Sequence, residues 1–435
     1  MHTHGWLSAL LLAASVPAAA QAPLDGRWEG AITREGKQWP VRADIVREGG
    51  AIQAYLDFPA YSLYYRRARL EKLDTVVRIT FISGRDTAVF SGSQHGDTLA
   101  GQWSGLGISA TFTLRRISDA PPRLVEETVH FTNGDVSLAG RLVKPDGAGP
   151  WPAIVWTHGS GRQTRDADFY RDRAYLLAQR GVASLIYDKR GVGESTGDPD
   201  ATLDELAGDA VAGVMYLRNR RDIRADRVGV GGFSQGGYVS PLAAARYGQI
   251  AFVVVGSAPG VTPAAQNDFA AQSALQRSGV DSQDVNRAMR LRRSVLEFQH
   301  TGAGRAELES ALGAAKSERW FRAADLPSGP VDQLGSRGLA VLDFDPLPVW
   351  SRVYAPALAM WGAEDQLVPA AKSRALIEQA MLPRTRARST FQTFPNASHG
   401  FLVVTPRGAP WDWPRLATGF HELMADWIVR TATSH

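Results

Sequence analysis

From about Leu24 to Arg116 apolar and polar residues alternate in short runs separated by turn residues. Ala43 and Ile45, then Glu48-Gly49-Gly50, then Ile52, Ala54 and Leu56 read as strand, turn, strand: a hairpin. A second hairpin centres on His95-Gly96-Asp97, with Val89 before it and Leu99 and Trp103 after it. The last strand alternates Ala110, Phe112 and Leu114. Two similar phrases, Gly26-Arg27-Trp28-Glu29-Gly30 and Gly101-Gln102-Trp103-Ser104-Gly105, bracket the region. This pattern predicts a small antiparallel β domain, a barrel or a sandwich. Ser118-Asp119-Ala120-Pro121-Pro122 reads as a linker, which divides the chain into a β domain at 21–120 and a second domain at 121–435.

Beyond the linker the period changes. Ala153-Ile154-Val155-Trp156 is a continuous apolar run, as a parallel strand buried on both faces requires. A helix from Tyr170 to Gln179 follows, with Gly181 where a left-handed cap is wanted. Val182 to Tyr187 is the next strand. Thr202 to Arg218 is a helix that opens on a capping box of Thr202 and Glu205. Val228-Gly229-Val230, a helix from Gly236, and Phe252-Val253-Val254-Val255 complete a strand–helix–strand rhythm that predicts a doubly wound, mostly parallel sheet. Between Pro263 and Asp345 the rhythm lapses into helical sequence, with Val285, Met289 and Leu296 on one face and Trp320-Phe321 in a further stretch. The sheet resumes at Ala357-Leu358-Ala359-Met360 and at Phe391. A helical insertion there is expected to form a cap, with Trp320 and Phe321 lining a substrate pocket.

Composition narrows this only a little. The 435 residues carry a net charge of +4 and no Lys/Arg run interleaved with aromatics, which argues against nucleic acid as a partner. Cysteine is absent, so disulfides, thiolate metal sites and a cysteine nucleophile are excluded. The apolar stretch Trp6 to Val16 and the small residues Ala18 and Ala20 read as a signal peptide over 1–20, cut before Gln21, with a cut after Ala22 as the alternative. The stretch is shorter than the ~20 residues of a spanning helix. The expectation is therefore a secreted or periplasmic protein without stable membrane insertion.

The pattern G-x-S-x-G occurs twice, at Gly193-Glu194-Ser195-Thr196-Gly197 and at Gly232-Phe233-Ser234-Gln235-Gly236. With 43 glycines in the chain a lone match is weak. A nucleophile elbow needs a strand entering the serine and a helix leaving it. Only Ser234 has both, so Ser195 is read as a loop residue. A serine needs a base held by an acid, in the chain order serine, acid, histidine on a sheet of this kind. Asp365 follows the strand ending at Trp361, and His399 follows the last strand; both lie in loops just past strand C-termini. Glu364, His95 and His421 are the weaker competitors. An oxyanion needs two backbone donors, which points to Gln235 and to Ser160 or Gly161 in His158-Gly159-Ser160-Gly161.

The segments HGSG-RQTRD, YDKRGVGES, GGFSQGG, GAEDQLVP and ASHGF together resemble the α/β-hydrolase superfamily, and within it bacterial exported carboxylesterases with a small N-terminal β domain. The resemblance runs from about Val125 to the C-terminus. It implies a Ser234–His399–Asp365 triad, an oxyanion site at Ser160, Gly161 and Gln235, a helical cap, no cofactor or metal, and hydrolysis of short-chain acyl esters. It also implies that Asp188, Arg190 and Glu194 form a salt-bridged turn and that Arg165 and Asp166 shape the site mouth. Phe233 departs from the pattern, which often has histidine there, and should change packing rather than role. The elbow serine excludes dehalogenase and epoxide hydrolase chemistry, which use aspartate. A thioesterase, or a serine peptidase or acyl-peptidase, remains as an alternative, although ~95 residues of β-structure cannot make the propeller that often precedes such peptidases. A glycan-binding β domain, using Trp28, Trp39, Tyr61, Tyr64 and Tyr65, is the other alternative; such aromatics more often fill a small core.

Overall fold

A computed structural model describes residues 23–48, 51–83, 86–117, 123–334 and 339–433. The signal-peptide segment, the Gly49-Gly50 turn and the linker at 118–122 lie outside the described residues. The chain divides into two compact units, Met1–Tyr55 with Arg67–Pro121, and Leu56–Arg66 with Pro122–His435.

Eight strands make the barrel: β1 (Gly26–Arg34), β2 (Lys37–Glu48), β3 (Ala51–Phe58), β4 (Leu63–Leu73), β5 (Val76–Ser83), β6 (Asp86–His95), β7 (Thr98–Gly105) and β8 (Ile108–Ile117). Each pairs with the next, and β1 pairs antiparallel with β8 to close it, which leaves no strand edge unpaired. The alternation read from sequence becomes inside and outside: Leu99 and Trp103 of β7 and Ala110, Phe112 and Leu114 of β8 are buried. The two repeated phrases bury Trp28 and Trp103. Their glycines leave room for neighbouring strands, since a Cβ on Gly30 would sit 1.9 Å from the Thr113 carbonyl oxygen. Trp28 and Trp39 fill the core rather than form an exposed platform.

The second unit is built on an eight-stranded sheet. A hairpin that the sequence reading did not assign, β9 (Leu124–Asn133) and β10 (Val136–Pro145), forms its antiparallel edge. Then come β11 (Trp151–Thr157), α1 (Asp168–Ala178), β12 (Ala183–Tyr187), α2 (Leu203–Arg218), β13 (Ile223–Phe233), α3 (Gly236–Arg246) and β14 (Val253–Gly256). The insertion holds α4 (Pro263–Arg277), α5 (Ser282–Thr301), α6 (Arg305–Ala315) and α7 (Leu339–Leu342). The chain ends with α8 (Leu347–Trp350), β15 (Ala357–Gly362), α9 (Ala370–Ala380), α10 (Pro383–Arg386), β16 (Thr390–Phe394) and α11 (Phe420–Thr433). The strand order is β16-β15-β14-β13-β11-β12-β10-β9. This is the α/β-hydrolase architecture, preceded by a β barrel.

The order explains where a site belongs. From β11 the chain moves outward to β12, then crosses back to place β13 on the other side of β11. The carboxyl ends of β11 and β13 therefore flank a topological switch point, where the connecting loops diverge and leave a crevice. Buried aliphatic residues cover both sheet faces, Val155, Leu185, Val230 and Val255 on one and Ile154, Ile186, Val254 and Leu358 on the other. Helix α2 begins on the predicted capping box, with the Glu205 backbone N–H donating to Thr202 Oγ1 and the Thr202 N–H donating to Glu205. The insertion has its own apolar cluster, in which Trp320 and Phe321 pack with Leu275, Val285, Leu308 and Leu312.

The segment Leu56–Arg66, expected within the β domain, belongs to the second unit. Tyr65 stacks on Tyr175 of α1 at 5.0 Å between ring centroids, and Arg66 lies 2.6 Å from Asp172.

Candidate active site

The elbow begins with a steric demand. Strand β13 runs into Ser234, whose φ of 57° is left-handed, and α3 leaves two residues later. The Ser234 N–H donates to the Gly256 carbonyl at 3.0 Å, and its own carbonyl accepts from Gly237 at 2.7 Å. So sharp a turn brings backbone against backbone. A Cβ on Gly232 would lie 2.1 Å from Thr157 Oγ1 and 2.8 Å from Gly236 Cα. The motif glycines are thus spatial requirements. Phe233 anchors the strand end, stacked with Trp156 at 6.1 Å, edge-on to Phe401, and under the Arg173 guanidinium at 4.7 Å.

Asp365 lies in the turn after β15, its side chain fully buried. Its Oδ1 accepts from the backbone N–H groups of Leu367 and Val368 at 2.8 and 2.9 Å. The His399 Nδ1 stands 3.0 Å from Oδ1 and 2.8 Å from Oδ2. A carboxylate only accepts, so Nδ1 donates to it, and in the neutral ring the lone pair lies on Nε2. The two loops meet because Gly362 has no side chain: a Cβ there would lie 2.3 Å from the carbonyl oxygens of Ala397 and Ser398. Glu364, the competing acid, is exposed, and its N–H donates to the Ala397 carbonyl.

Hydrogen bonds at the end of β14 connect the serine and histidine loops. Gly256 accepts from the Ser234 N–H, and the hydroxyl of the next residue, Ser257, donates to the His399 carbonyl at 2.7 Å. Ser257 was not foreseen from sequence. His421, the other competing histidine, is buried edge-on to Tyr64 and Phe420.

The loop after β11 reaches the same place. A Cβ on Gly159 would be 3.6 Å from the Phe233 carbonyl oxygen and 3.9 Å from Ser234 Cβ. His158 is buried with Nε2 2.5 Å from the Tyr187 carbonyl oxygen, and burial pushes its pKa down to about 3, so it is neutral. Ser160 and Gly161 are exposed, Gly161 at a φ of 86°. Sequence reading missed the side chains that grip this loop. Lys189 Nζ donates to the carbonyls of Gly159 and Gly161 at 3.1 and 3.2 Å and to Gln235 Oε1 at 2.7 Å. Gln163 Nε2 donates to the Ser160 carbonyl at 3.1 Å. Burial lowers the Lys189 pKa to about 8.

The remaining sequence-derived residues are also placed. Asp188 accepts from the Arg165 guanidinium at 2.9 Å, Glu194 pairs with Arg165 at 2.8 Å, and Arg190 pairs with Asp209 at 2.6 Å. These are the ion pairs of a braced turn. Asp166 pairs with Arg141 at 2.8 Å. Trp320 and Phe321 are buried within the insertion's own cluster, with the Arg287 guanidinium 5.8 Å from the Trp320 ring. No helix among the described residues is long and apolar enough to cross a membrane.

A model of the X-Pro dipeptidyl-peptidase (S15) family matches residues 133–380, a span that contains Ser234 and Asp365 and stops short of His399. The chain is 35% identical to esterase EstD of Thermotoga maritima over 131 residues, covering 29% of this chain and 31% of that protein. It is 32% identical to the quorum-quenching protein AidA of Acinetobacter baumannii over 130 residues, 29% of this chain and 41% of that one. Against the non-heme haloperoxidase of Rhodococcus erythropolis it is 26% identical over 253 residues, 58% and 86% of the two chains. The chain spans between about a third and a half of the length of the first curated relatives it matches. Among solved structures, the Pyrococcus furiosus esterase Pf2001 superposes with a TM-score of 0.44 at 19% identity, over 71% of this chain and 91% of that one.

Proposed function

We propose that this chain, which belongs to the X-Pro dipeptidyl-peptidase (S15) family, is a serine hydrolase that cleaves short-chain carboxylic esters with Ser234, His399 and Asp365. The observation that carries this reading is the His399 Nδ1 held 2.8 Å from the fully buried Asp365 carboxylate, on a loop whose His399 carbonyl is bonded by Ser257, the residue after the Gly256 that accepts from the N–H of Ser234 in its left-handed elbow.

In this mechanism His399 Nε2 takes the Ser234 proton as Oγ attacks the ester carbonyl carbon. Asp365 keeps the ring oriented and stabilises the imidazolium that forms. The carbonyl oxygen becomes an oxyanion, bound by the Gln235 N–H and by the N–H of Ser160 or Gly161. Collapse expels the alcohol, which receives its proton from His399. Water, deprotonated by His399, then hydrolyses the acyl-enzyme to release the acid and restore the serine. The insertion supplies the wall of the acyl pocket, with Trp320 and Phe321 supporting that wall from within its apolar cluster. Export directed by residues 1–20 belongs to the same reading, and predicts that the mature protein begins at Gln21 or Pro23.

A peptidase reading has the family's name in its favour. Two observations support the esterase instead. One relative bears the name esterase. The carboxylates beside the oxyanion loop, Asp188 and Glu194, are both paired with Arg165 and so are poorly placed to anchor a substrate ammonium. The test is a profile of the purified protein on p-nitrophenyl esters of increasing chain length, matching thioesters and Xaa-Pro-p-nitroanilides, with Ser234→Ala as the control. Faster turnover of the short esters supports the esterase. Faster turnover of the Xaa-Pro amide overturns it in favour of the peptidase.

A further inference from the structure

Lys189 is a lysine with 5% of its surface exposed whose ammonium bonds go to three oxygens, none of them a carboxylate. A buried cation is costly unless its donors are satisfied, and an ammonium has three N–H donors for three acceptors. The acceptors are the carbonyls on either side of Ser160 and the side chain of the residue after Ser234. In a planar trans peptide the C=O and the following N–H point in opposite directions. Fixing the Gly159 carbonyl therefore aims the Ser160 N–H away from Lys189, and fixing the Gly161 carbonyl does the same for Arg162. Gln163, bonded to the intervening Ser160 carbonyl, fixes the Gly161 N–H in the same manner. The loop needs such restraint because it is exposed and glycine-rich, and one flipped peptide would turn a carbonyl oxygen toward the reacting centre.

We propose that Lys189 is a positioning residue that orients the oxyanion-binding N–H groups of the loop after β11 and of Gln235, by holding the Gly159 and Gly161 carbonyls and the Gln235 side chain on one ammonium. The proposal rests on the serine-hydrolase reading above. It assigns Lys189 a role in stabilising the transition state without touching substrate. Charge loss would leave two protons for three acceptors. The charged and titratable groups packed around it are these: His158 is neutral against Tyr187, Tyr170 meets the Gly159 backbone with its phenol pushed well above the usual range by burial, Asp188 and Glu194 pair with Arg165, Arg190 pairs with Asp209, and Arg162 donates to the Gly191 carbonyl. With its pKa lowered to about 8 by burial, Lys189 loses its proton as pH rises through about 8, and activity should fall with it.

The test compares Lys189→Met, Lys189→Arg and Ser234→Ala with the wild type on p-nitrophenyl acetate, with rates corrected for hydroxide. The affinity of an alkylboronate, which forms a tetrahedral adduct on the serine, is measured alongside. The expected result for Lys189→Met is a kcat lower by roughly 10- to 100-fold, less than the loss of a direct oxyanion donor, with KM changed less than about threefold, marking loss of an interaction realised in the transition state. Boronate affinity should fall in step with kcat/KM, and Lys189→Arg should recover part of both. A packing role alone would lower the melting temperature without tying kcat to boronate affinity. A wild-type kcat in folded Lys189→Met, or unchanged boronate affinity, overturns the proposal. If that variant does not fold, Lys189→Gln takes its place, and a wild-type kcat with unchanged boronate affinity in the folded protein overturns the proposal. Full activity in Ser234→Ala overturns the hydrolase reading and the proposal together, whereas an inactive Ser234→Ala beside a normal Lys189→Met removes the proposal alone.

Discussion

Two regions of this molecule carry the same five-residue pattern, and their serines have opposite fates. In the loop after β12, Ser195 is buried, its hydroxyl donating to the Asp188 carbonyl at 2.7 Å and accepting the Ala139 N–H at 3.0 Å. One of these bonds ties the loop to β10 and the other closes the loop on itself. At the end of β13, Ser234 sits in a left-handed turn, partly exposed, and among the described residues no protein group engages its hydroxyl. The glycines differ as well. Gly193 and Gly197 have positive φ values of 60° and 96° and shape a loop, whereas Gly232 lets two backbones pass at contact distance. Spacing alone therefore selects for tight turns. What distinguishes a nucleophile is where the hydroxyl's bonding capacity goes and what stands beside it.

The comparison breaks most visibly by substitution at the two serines. Ser234→Ala should reduce kcat on esters by about 10⁶, measured by initial rates against an enzyme-free blank; retention of wild-type rate would sink the assignment. Next comes the buried acid. Asp365→Asn keeps the shape but presents the wrong hydrogen-bonding partner to His399 Nδ1, and should lower kcat by about 10⁴. A loss below tenfold would mean that another group orients the histidine.

Ser195→Ala should show the reverse behaviour. It strands the Ala139 N–H and the Asp188 carbonyl, a cost of about 1–3 kcal/mol that lowers the denaturation midpoint while kcat on the test ester stays within a few-fold. An inactive but fully stable variant would exchange the roles of the two serines.

The smallest effect comes from a carboxylate engaged only in structure. Asp222, before the core of β13, is held well below the usual carboxylate range by hydrogen bonds from Arg220 and Lys144. Because its folded pKa is depressed, its contribution is complete above the unfolded pKa of about 3.9 and disappears as pH falls through the folded value. Asp222→Asn should therefore cost about 1 kcal/mol or less at pH 7, with a shrinking difference from wild type below pH 4. Melting curves at pH 7 and pH 3 that differ equally would contradict the ion-pair account.

Legibility in the sequence followed the range of the interactions. Apolar runs marked β11, β14 and β15 because burial on both faces favours apolar side chains, and β12 was legible although it buries Ser184. The Thr202 capping box and the cap at Gly181 are local and were readable. The hairpin of β9 and β10 was not, since β9 alternates buried and exposed positions and resembles the preceding β domain more than the sheet it joins. Leu56–Arg66 escaped for a different reason: its place in the second unit depends on contacts with residues more than a hundred positions away, such as Arg66 with Asp172. At the site, the elbow and the Asp365–His399 pair could be read from motif and chain order. Lys189 and Ser257 could not, because each acts on backbone carbonyls, and no pattern of side chains records which carbonyl a distant donor will meet.

The central claim is that Ser234, and not Ser195, is the nucleophile. The most direct measurement is covalent labelling of the native protein with a fluorophosphonate, followed by peptide mapping by mass spectrometry. The account predicts one phosphonyl group per chain, on Ser234, with activity lost in proportion and Ser195 unmodified. Labelling of Ser195, or full inactivation with Ser234 unmodified, would contradict it.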